Sequence, residues 1–263
     1  MLVDQVSLVV FSPTGTTRRV ANTVVSGFGC RTAAVLDCTK PEVRAAKPAA
    51  FHGSPVILAA PVHSGRLPAV AADAFAELSG GGAPAVLLTV YGNRAYEDAL
   101  LELSDIAVTA GFVPAAAGAF IGEHSYSTPD FPLSAGRPGA ADLRLAAEFG
   151  RQVKEKLTGV STAADLPPLR LPGNHPYRER GGRSGLSPVT DTAVCRQCGT
   201  CTAACPVGAV KDGVNNDAPC LLCHACVRQC PAGARSFPQP RLKEIRQWLR
   251  REFTAPRQPE LFI

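Results

Sequence analysis

The sequence predicts an α/β chain in two parts, a doubly wound parallel sheet of five strands followed by a small α+β module. Three observations predict it. Strand and helix patterns alternate through residues 1–157, as a sheet covered by helices on both faces requires. Residues 158–190 then lose all apolar period and gather Pro167, Pro168, Pro172, Pro176 and Pro188, the composition of a linker or an extended wrap. Beyond them, one cysteine spacing occurs twice within residues 191–235.

Each element has its own warrant. Val6 to Phe11 is an unbroken apolar run, suited to a buried strand. Val20, Val24 and Phe28 recur at helical spacing over Thr14 to Phe28. Thr32–Leu36 and Pro55–Ala60 read as the second and third strands. Leu67, Val70, Ala71, Ala74, Phe75 and Leu78 trace the next helix, stopped by Gly80-Gly81-Gly82. Ala85 to Tyr91 is a fourth strand, and Tyr96, Ala99, Leu100, Leu103, Ala107 and Ala110 form a helical stripe ending at Gly111. Phe112 to Ile121 is the fifth strand despite Pro114, and Ala140 to Leu157 the last helix of this half. Five strands with their helices in this length fit a flavodoxin-like sheet, strand order 2-1-3-4-5. Residues 236–263 are a basic amphipathic helix and tail: Leu242, Ile245 and Leu249 share one face, and Arg241, Lys243, Arg246 and Arg250 lie elsewhere. That helix either docks on its own protein or offers a surface to an acidic partner.

The cysteine runs carry the chemistry. Cys195, Cys198, Cys201 and Cys205 precede Pro206, and Cys220, Cys223, Cys226 and Cys230 precede Pro231, each as C-x2-C-x2-C-x3-C-P. This spacing is that of 4Fe-4S clusters, where one turn supplies three thiolates and the fourth comes from elsewhere. Zinc sites pair separated C-x2-C units or add histidine, so four cysteines in eleven residues fit zinc or a disulfide framework poorly. In two-cluster ferredoxins the fourth cysteine of each run serves the other run's cluster. The expected sets are therefore Cys195, Cys198, Cys201 and Cys230 for the first cluster, and Cys220, Cys223, Cys226 and Cys205 for the second. Such clusters point to a reducing compartment, the cytoplasm. Cys30 and Cys38 flank a strand, where buried free thiols are expected ahead of a redox role.

Charge and hydropathy narrow the classes. Residues 161–263 carry 14 Lys or Arg against 8 Asp or Glu, while residues 1–160 are nearly balanced. A basic half suggests nucleic acid, but each oxidised cluster with its thiolates brings a charge of about −2, which absorbs most of the excess. No nucleic-acid motif accompanies it, so a cluster-controlled sensor is the weakest of three readings. The longest apolar stretch, Ile106 to Phe120, is broken by Thr109, Gly111, Pro114 and Gly118 and is too short to span a bilayer. The opening residues lack a basic region and cleavage site, so no secretory signal is expected.

Ligands of an open parallel sheet sit beyond the carboxyl ends of its strands. After the first strand comes Ser12-Pro13-Thr14-Gly15-Thr16-Thr17, leading into a helix whose N-terminal amides and hydroxyls can cradle a phosphate. It matches neither a Walker loop nor the dinucleotide G-x-G-x-x-G. This string resembles the FMN phosphate loop of flavodoxins. Pro61-Val62-His63-Ser64-Gly65-Arg66-Leu67-Pro68 and Val90-Tyr91-Gly92-Asn93-Arg94-Ala95-Tyr96 resemble their two flavin-flanking loops. With Gly122-Glu123-His124-Ser125 and the cysteine runs, most of the chain is similar to bacterial and archaeal fusions of a flavodoxin-like domain with a two-cluster ferredoxin.

The resemblance implies FMN held noncovalently by Ser12, Thr14, Gly15, Thr16, Thr17, Pro61, Val62, His63, Gly65, Tyr91, Gly92, Asn93, Arg94 and Tyr96, exchanging electrons with two 4Fe-4S clusters. His63 stands where related fusions often carry tyrosine; it either meets the flavin or is an ordinary loop residue, and Tyr91 or Tyr96 can supply a stacking face. Arg66 and Arg94 either stabilise an anionic reduced ring or brace their loops. His124 either donates a proton or satisfies backbone groups. His63, Arg94 and His124 are the candidate catalytic residues. FMN converts between one- and two-electron chemistry, so the expected function is an oxidoreductase passing low-potential electrons to an acceptor, with a pure carrier between proteins as the alternative. The expected donor is a separate ferredoxin or oxidoreductase, because no nicotinamide fingerprint is present. A small-molecule acceptor is open, as is the oligomeric state, a homodimer included.

Overall fold

Apolar side chains on both faces of a strand can be buried only under a double cover of helices, and five parallel strands here have it. The computed structural model describes residues 1–181, 186–216 and 218–263. Its strands β1 (Gln5–Val10), β2 (Arg31–Asp37), β3 (Val56–Pro61), β4 (Pro84–Tyr91) and β5 (Val113–Ile121) alternate with helices α1 (Thr16–Phe28), α2 (Pro41–Arg44), α3 (Ala69–Ala76), α4 (Ala99–Thr109) and α5 (Ala140–Thr158). The order β5-β4-β3-β1-β2, all parallel, is the expected 2-1-3-4-5 read from the other edge. The fold of this half is flavodoxin-like.

The sheet divides the core in two. Val6, Leu8, Val10, Ile57, Val86, Leu88 and Phe120 face α1 and α5, whereas Val9, Phe11, Leu58, Leu87 and Tyr91 face α3 and α4. Helices α1 and α5 approach closely through Gly27 and Gly150, where any side chain would strike the backbone of Ala147 or Val24. Pro114 is tolerated because β5 bulges there: Ala85 pairs with Pro114 and Val86 with Ala116, so Ala115 is skipped. The edge strand β2 is largely exposed, since α2 is only four residues long.

A sixth strand, β10 (Glu260–Phe262), adds antiparallel to β5, with Leu261 opposite Gly118. The sequence reading treated this segment as tail; three residues after a proline-rich stretch carry no periodicity to announce a strand. Residues 166–181 run without helix or strand along the first half of the chain. Leu169 and Leu171 pack on the core, Asn174 and Arg178 donate their amides to Asp98 at 2.9 and 2.8 Å, and the Arg178 carbonyl accepts from Arg66.

The cysteine module is bracketed by β6 (Val189–Thr190) paired with β9 (Arg235–Ser236) and holds the hairpin β7 (Val210–Lys211) with β8 (Val214–Asn215) and two short helices, α6 (Thr200–Ala204) and α7 (Ala225–Arg228). Its internal repeat extends to the backbone. Gln197 and Leu222, each just before a run's second cysteine, and Gly199 and His224, each just after it, all have positive φ. Helix α8 (Pro240–Glu252) docks on its own protein: Leu242 and Leu249 are buried, and Leu242 joins Phe237, Tyr126 and Leu222 in a small cluster between the two halves. No described helix is long and apolar enough to cross a membrane.

Candidate functional site

The loops after β1, β3, β4 and β5 meet around a cleft of roughly 490 Å³, open mouth included. Its walls are Ser12, Pro13, Thr14, Thr16 and Thr17; Pro61, Val62 and His63; Val90, Tyr91 and Gly92; Gly122 to Ser125; and Cys223 from the module. Between Thr14 and Thr16, Gly15, with φ +82°, caps α1 and brings no side-chain acceptor to the helix N-terminus. The Ser12 hydroxyl accepts from the Arg18 amide at 3.1 Å, and the Ser12 amide donates to Thr39 at 2.7 Å, which fixes the loop. A helix start lined with hydroxyls, whose Gly15 cap has no side chain and whose Arg18 amide alone is taken by a side chain, is a fitting seat for a phosphate.

His63 is presented by a tight turn. Ser64 and Gly65 both have positive φ, and His63 and Arg66 exchange backbone hydrogen bonds at 2.9 and 3.1 Å. The turn is anchored from behind by Arg66, buried and paired with Glu102 at 2.8 and 2.9 Å. Glu102 also accepts from the Leu67 amide and from Arg180, and the Arg66 guanidinium lies 4.4 Å over the Tyr177 ring. Arg66 therefore braces its loop.

His124 projects from the loop after β5. Its Nδ1 accepts from the Tyr126 amide at 3.1 Å, which places the neutral ring's proton on Nε2. Desolvation lowers both His63 and His124 to about 4, with neighbouring arginines and His63 adding to the effect on His124. Near neutral pH both are uncharged imidazoles that can donate one hydrogen bond but carry no imidazolium proton.

Four residues of the expected flavin set are placed elsewhere. Arg94 is bound to Glu97 at 2.8 Å by both terminal nitrogens and lines no part of the cleft. Asn93 spends its amide on the tail, donating to the Phe253 and Ala255 carbonyls and accepting from the Arg257 amide. Tyr96 donates to Glu260 at 2.7 Å and packs behind Tyr91, ring centroids 5.4 Å apart. Gly65 lies in the turn, under Glu97 and Arg178. Asn93 and Tyr96 are held by the C-terminal tail and Gly65 is covered in part by the wrap, whose positions spacing does not reveal, whereas Arg94 is claimed within its own loop by Glu97.

The thiols gather in two groups. Cys195, Cys198, Cys201 and Cys230 line one cavity of about 370 Å³, with Arg235 at its wall. In the second group, burial pushes the Cys223 thiol up to about 12, and Cys220, Cys226 and Cys205 push it the same way. Collecting four thiolates there is costly, and a polycationic iron core is the group that offsets it. No disulfide joins any of the ten cysteines. Among the described residues no three His, Cys, Asp or Glu converge as a single metal ion needs, so the first group surrounds a space and does not share a point. The donor set and the enclosed space fit 4Fe-4S clusters.

The halves are joined across the cleft. Gln229 donates to the Pro13 carbonyl, Arg228 to that of His124 at 2.8 Å, Arg246 to that of Tyr126 at 2.9 Å, and Arg44 to that of Pro206 at 2.5 Å. A ladder of rings crosses with them: His124 to Tyr126 at 4.9 Å, Tyr126 to His224 at 4.8 Å, and His224 stacked on Phe237 at 4.2 Å. The sequence alone missed Cys223 as a cleft residue, because that role exists only once the module has docked.

Known proteins resemble both halves. The profile of the 4Fe-4S binding domain family matches residues 188–211, a span that contains the first cysteine run. No curated protein matches the chain. Among solved structures the chain is similar to the Streptococcus pneumonia TIGR4 flavodoxin, at 18% identity and TM-score 0.39, over 59% of this chain and 98% of that one. It is similar to rubredoxin oxygen:oxidoreductase of Desulfovibrio gigas, at 14% identity and TM-score 0.42, over 60% of this chain and 37% of that one. An oxidoreductase from Corynebacterium diphtheriae is 13% identical with TM-score 0.40, over 60% of this chain and 99% of that one. The strand order is that of a flavodoxin-like fold, and the profile marks a 4Fe-4S binding domain over residues 188–211.

Proposed function

We propose that this protein is an iron–sulfur flavoprotein reductase, taking low-potential electrons through two 4Fe-4S clusters and delivering them from FMN to a small-molecule acceptor. The observation that supports it most is Cys223, a member of the second thiol group and at once a wall of the cleft at the α1 N-terminus. FMN, when bound, supplies the conversion between single electrons and pairs. Residues 1–157 hold the flavin and residues 191–235 the clusters, with 158–190 as the wrap and 236–263 as the strap of α8 and tail.

The chain's own groups then have defined work. Thr14, Thr16, Thr17 and the uncapped α1 amides bind the phosphate, and Tyr91 and Val62 offer apolar walls to the ring. His63 and His124, kept neutral by desolvation, offer hydrogen bonds without adding charge. Cys198 is exposed whereas Cys223 is buried, so the first cluster faces the external donor, a ferredoxin or similar protein of the cytoplasm, and the second faces the flavin. The carrier reading shares all of this. A further chamber beside Gly92 and His124 favours the reductase, because a carrier has no use for space next to its flavin.

Anaerobically purified protein should contain one FMN and about eight irons, and Cys223→Ser should halve the iron and slow flavin reduction. Zinc with no flavin would overturn the reading. Stopped-flow reoxidation of the reduced protein separates the two functions: fast reoxidation by small molecules supports a reductase, and reoxidation by proteins alone a carrier.

A further inference from the structure

The flavin cleft has a neighbour. A second chamber of roughly 920 Å³, open mouth included, adjoins it and shares Gly92 and His124 with it. Leu133, Leu249 and Phe253 give it apolar walls from the 132–137 segment and the end of α8. Arg137 and Arg250 line it too, and none of its described lining residues is acidic.

The two arginines differ. Arg137 is engaged by Asp142 through both oxygens and also reaches the Arg257 carbonyl. Arg250 is exposed and has no carboxylate partner among the described residues; its guanidinium lies 5.1 Å over the Phe131 ring. A chamber of mixed lining, with Leu133, Leu249 and Phe253 as its apolar side and one guanidinium free of carboxylates, suits a planar or branched hydrocarbon body ending in a carboxylate, because guanidinium and carboxylate meet in a paired fork of hydrogen bonds. The far end of such a body reaches Gly92 and His124, where the chamber joins the cleft.

We propose that this chamber binds a small organic carboxylate with an apolar body, anchored by Arg250, as the acceptor of the reductase. The proposal rests on the reductase reading. The acceptor gains two electrons and two protons: an external low-potential protein donor is oxidised twice, one electron each time, and the protons come from water. His124 positions the reacting end through its Nε2 hydrogen.

The chain has one tryptophan, Trp248, which stacks edge-on against Phe253 at 5.1 Å, so occupancy of the chamber can be read without turnover. Cinnamate added to the oxidised holoprotein should change Trp248 fluorescence saturably and bind about tenfold more tightly than uncharged cinnamyl alcohol, the worth of one charge-assisted hydrogen bond. Arg250→Gln should erase that preference and Arg250→Lys restore part of it, with flavin and iron content unchanged. Equal affinity for the two probes, no saturable change, or a preference indifferent to Arg250→Gln would each overturn the proposal. Saturable, Arg250-dependent binding without reoxidation of the reduced flavin by any carboxylate would uphold the site and sink the reductase reading instead. Fast reoxidation by small molecules that leaves Trp248 fluorescence unmoved would do the reverse.

Discussion

Arg235 is the buried cation of the cysteine module, and exchanging it for glutamine should make both clusters harder to reduce. It is 3% exposed. Its terminal nitrogens donate to Thr190, the Gly213 carbonyl and Asn215 at 2.7, 3.0 and 2.7 Å, and one lies 3.8 Å from the Cys226 sulfur. The side chain also borders the cavity of the first thiol group. No carboxylate is among these partners, so in the proposed iron–sulfur reading thiolate-bound clusters would be the anions that balance it.

Reduction adds one negative charge to a cluster, and a nearby cation favours it. Two unit charges ~4 Å apart interact by ~4 kcal/mol at an effective dielectric of ~20. The added electron spreads over a core whose centre lies beyond the sulfur, so about half of that, ~2 kcal/mol, is realistic. A one-electron couple shifts by about 59 mV for each tenfold, or ~1.4 kcal/mol, which gives a drop of roughly 80 mV on losing the charge. Titrations followed by electron paramagnetic resonance on Arg235→Gln and Arg235→Lys would measure it, with iron content checked because the side chain also ties β7–β8 to β6. Arg235→Lys should recover most of the shift. Potentials within about 20 mV of the parent in an iron-replete Arg235→Gln protein would refute the charge argument.

Three other outcomes follow from single contacts. Glu102→Gln strands the buried Arg66 charge and should cost about 3–5 kcal/mol, read as a lower midpoint in denaturant unfolding. Gly92→Ala puts a methyl group against the His124 ring and should weaken FMN binding without altering iron content, checked by flavin release on dialysis. For pH, His63 and His124 stay neutral when folded down to about 4 but take protons near 6.5 when unfolded. The stability they contribute is present above about 6.5 and is lost as pH falls from there toward 4, so a His63→Gln/His124→Gln protein should show a flatter thermal stability profile across that window.

The central sheet was legible because burial on both faces leaves an uninterrupted apolar record, as in Val6 to Phe11 or Ala85 to Tyr91. Pro114 contradicted its strand, and the bulge at Ala115 resolves the contradiction locally. The loop before α1 was legible because its features are local: hydroxyls and a left-handed Gly15 at one helix start. Asn93, Arg94 and Tyr96 lie off the cleft walls for the opposite reason. Their partners are Ala255, Glu97 and Glu260, and two of those three lie on a tail more than 150 residues away whose strand has no periodic signature. Glu102, Arg235 and Cys223 have the same character, since each acquires its role from a neighbour brought in by docking.

The two cysteine runs differ where their backbones agree. At the same left-handed position the first run has Gly199 and the second His224, with φ values of +72° and +61°. A side chain there costs roughly 1 kcal/mol, and His224 is also buried with an unpartnered Nε2. Its ring contacts, Phe237 at 4.2 Å and Tyr126 at 4.8 Å, oppose that strain with about 0.5–1.5 kcal/mol each. Tyr126 belongs to the flavin half, so the histidine ties the second run, and not the first, to the cleft. His224→Gly should therefore relieve the backbone yet lower overall stability by about 1 kcal/mol, the balance of these two terms. Its diagnostic effect is kinetic: reduction of the clusters by an external donor should keep its rate while flavin reduction slows severalfold, because the second run has lost its register against Tyr126. Unchanged flavin reduction in an iron- and FMN-replete His224→Gly protein would show that the ring ladder plays no part in holding Cys223 at the cleft.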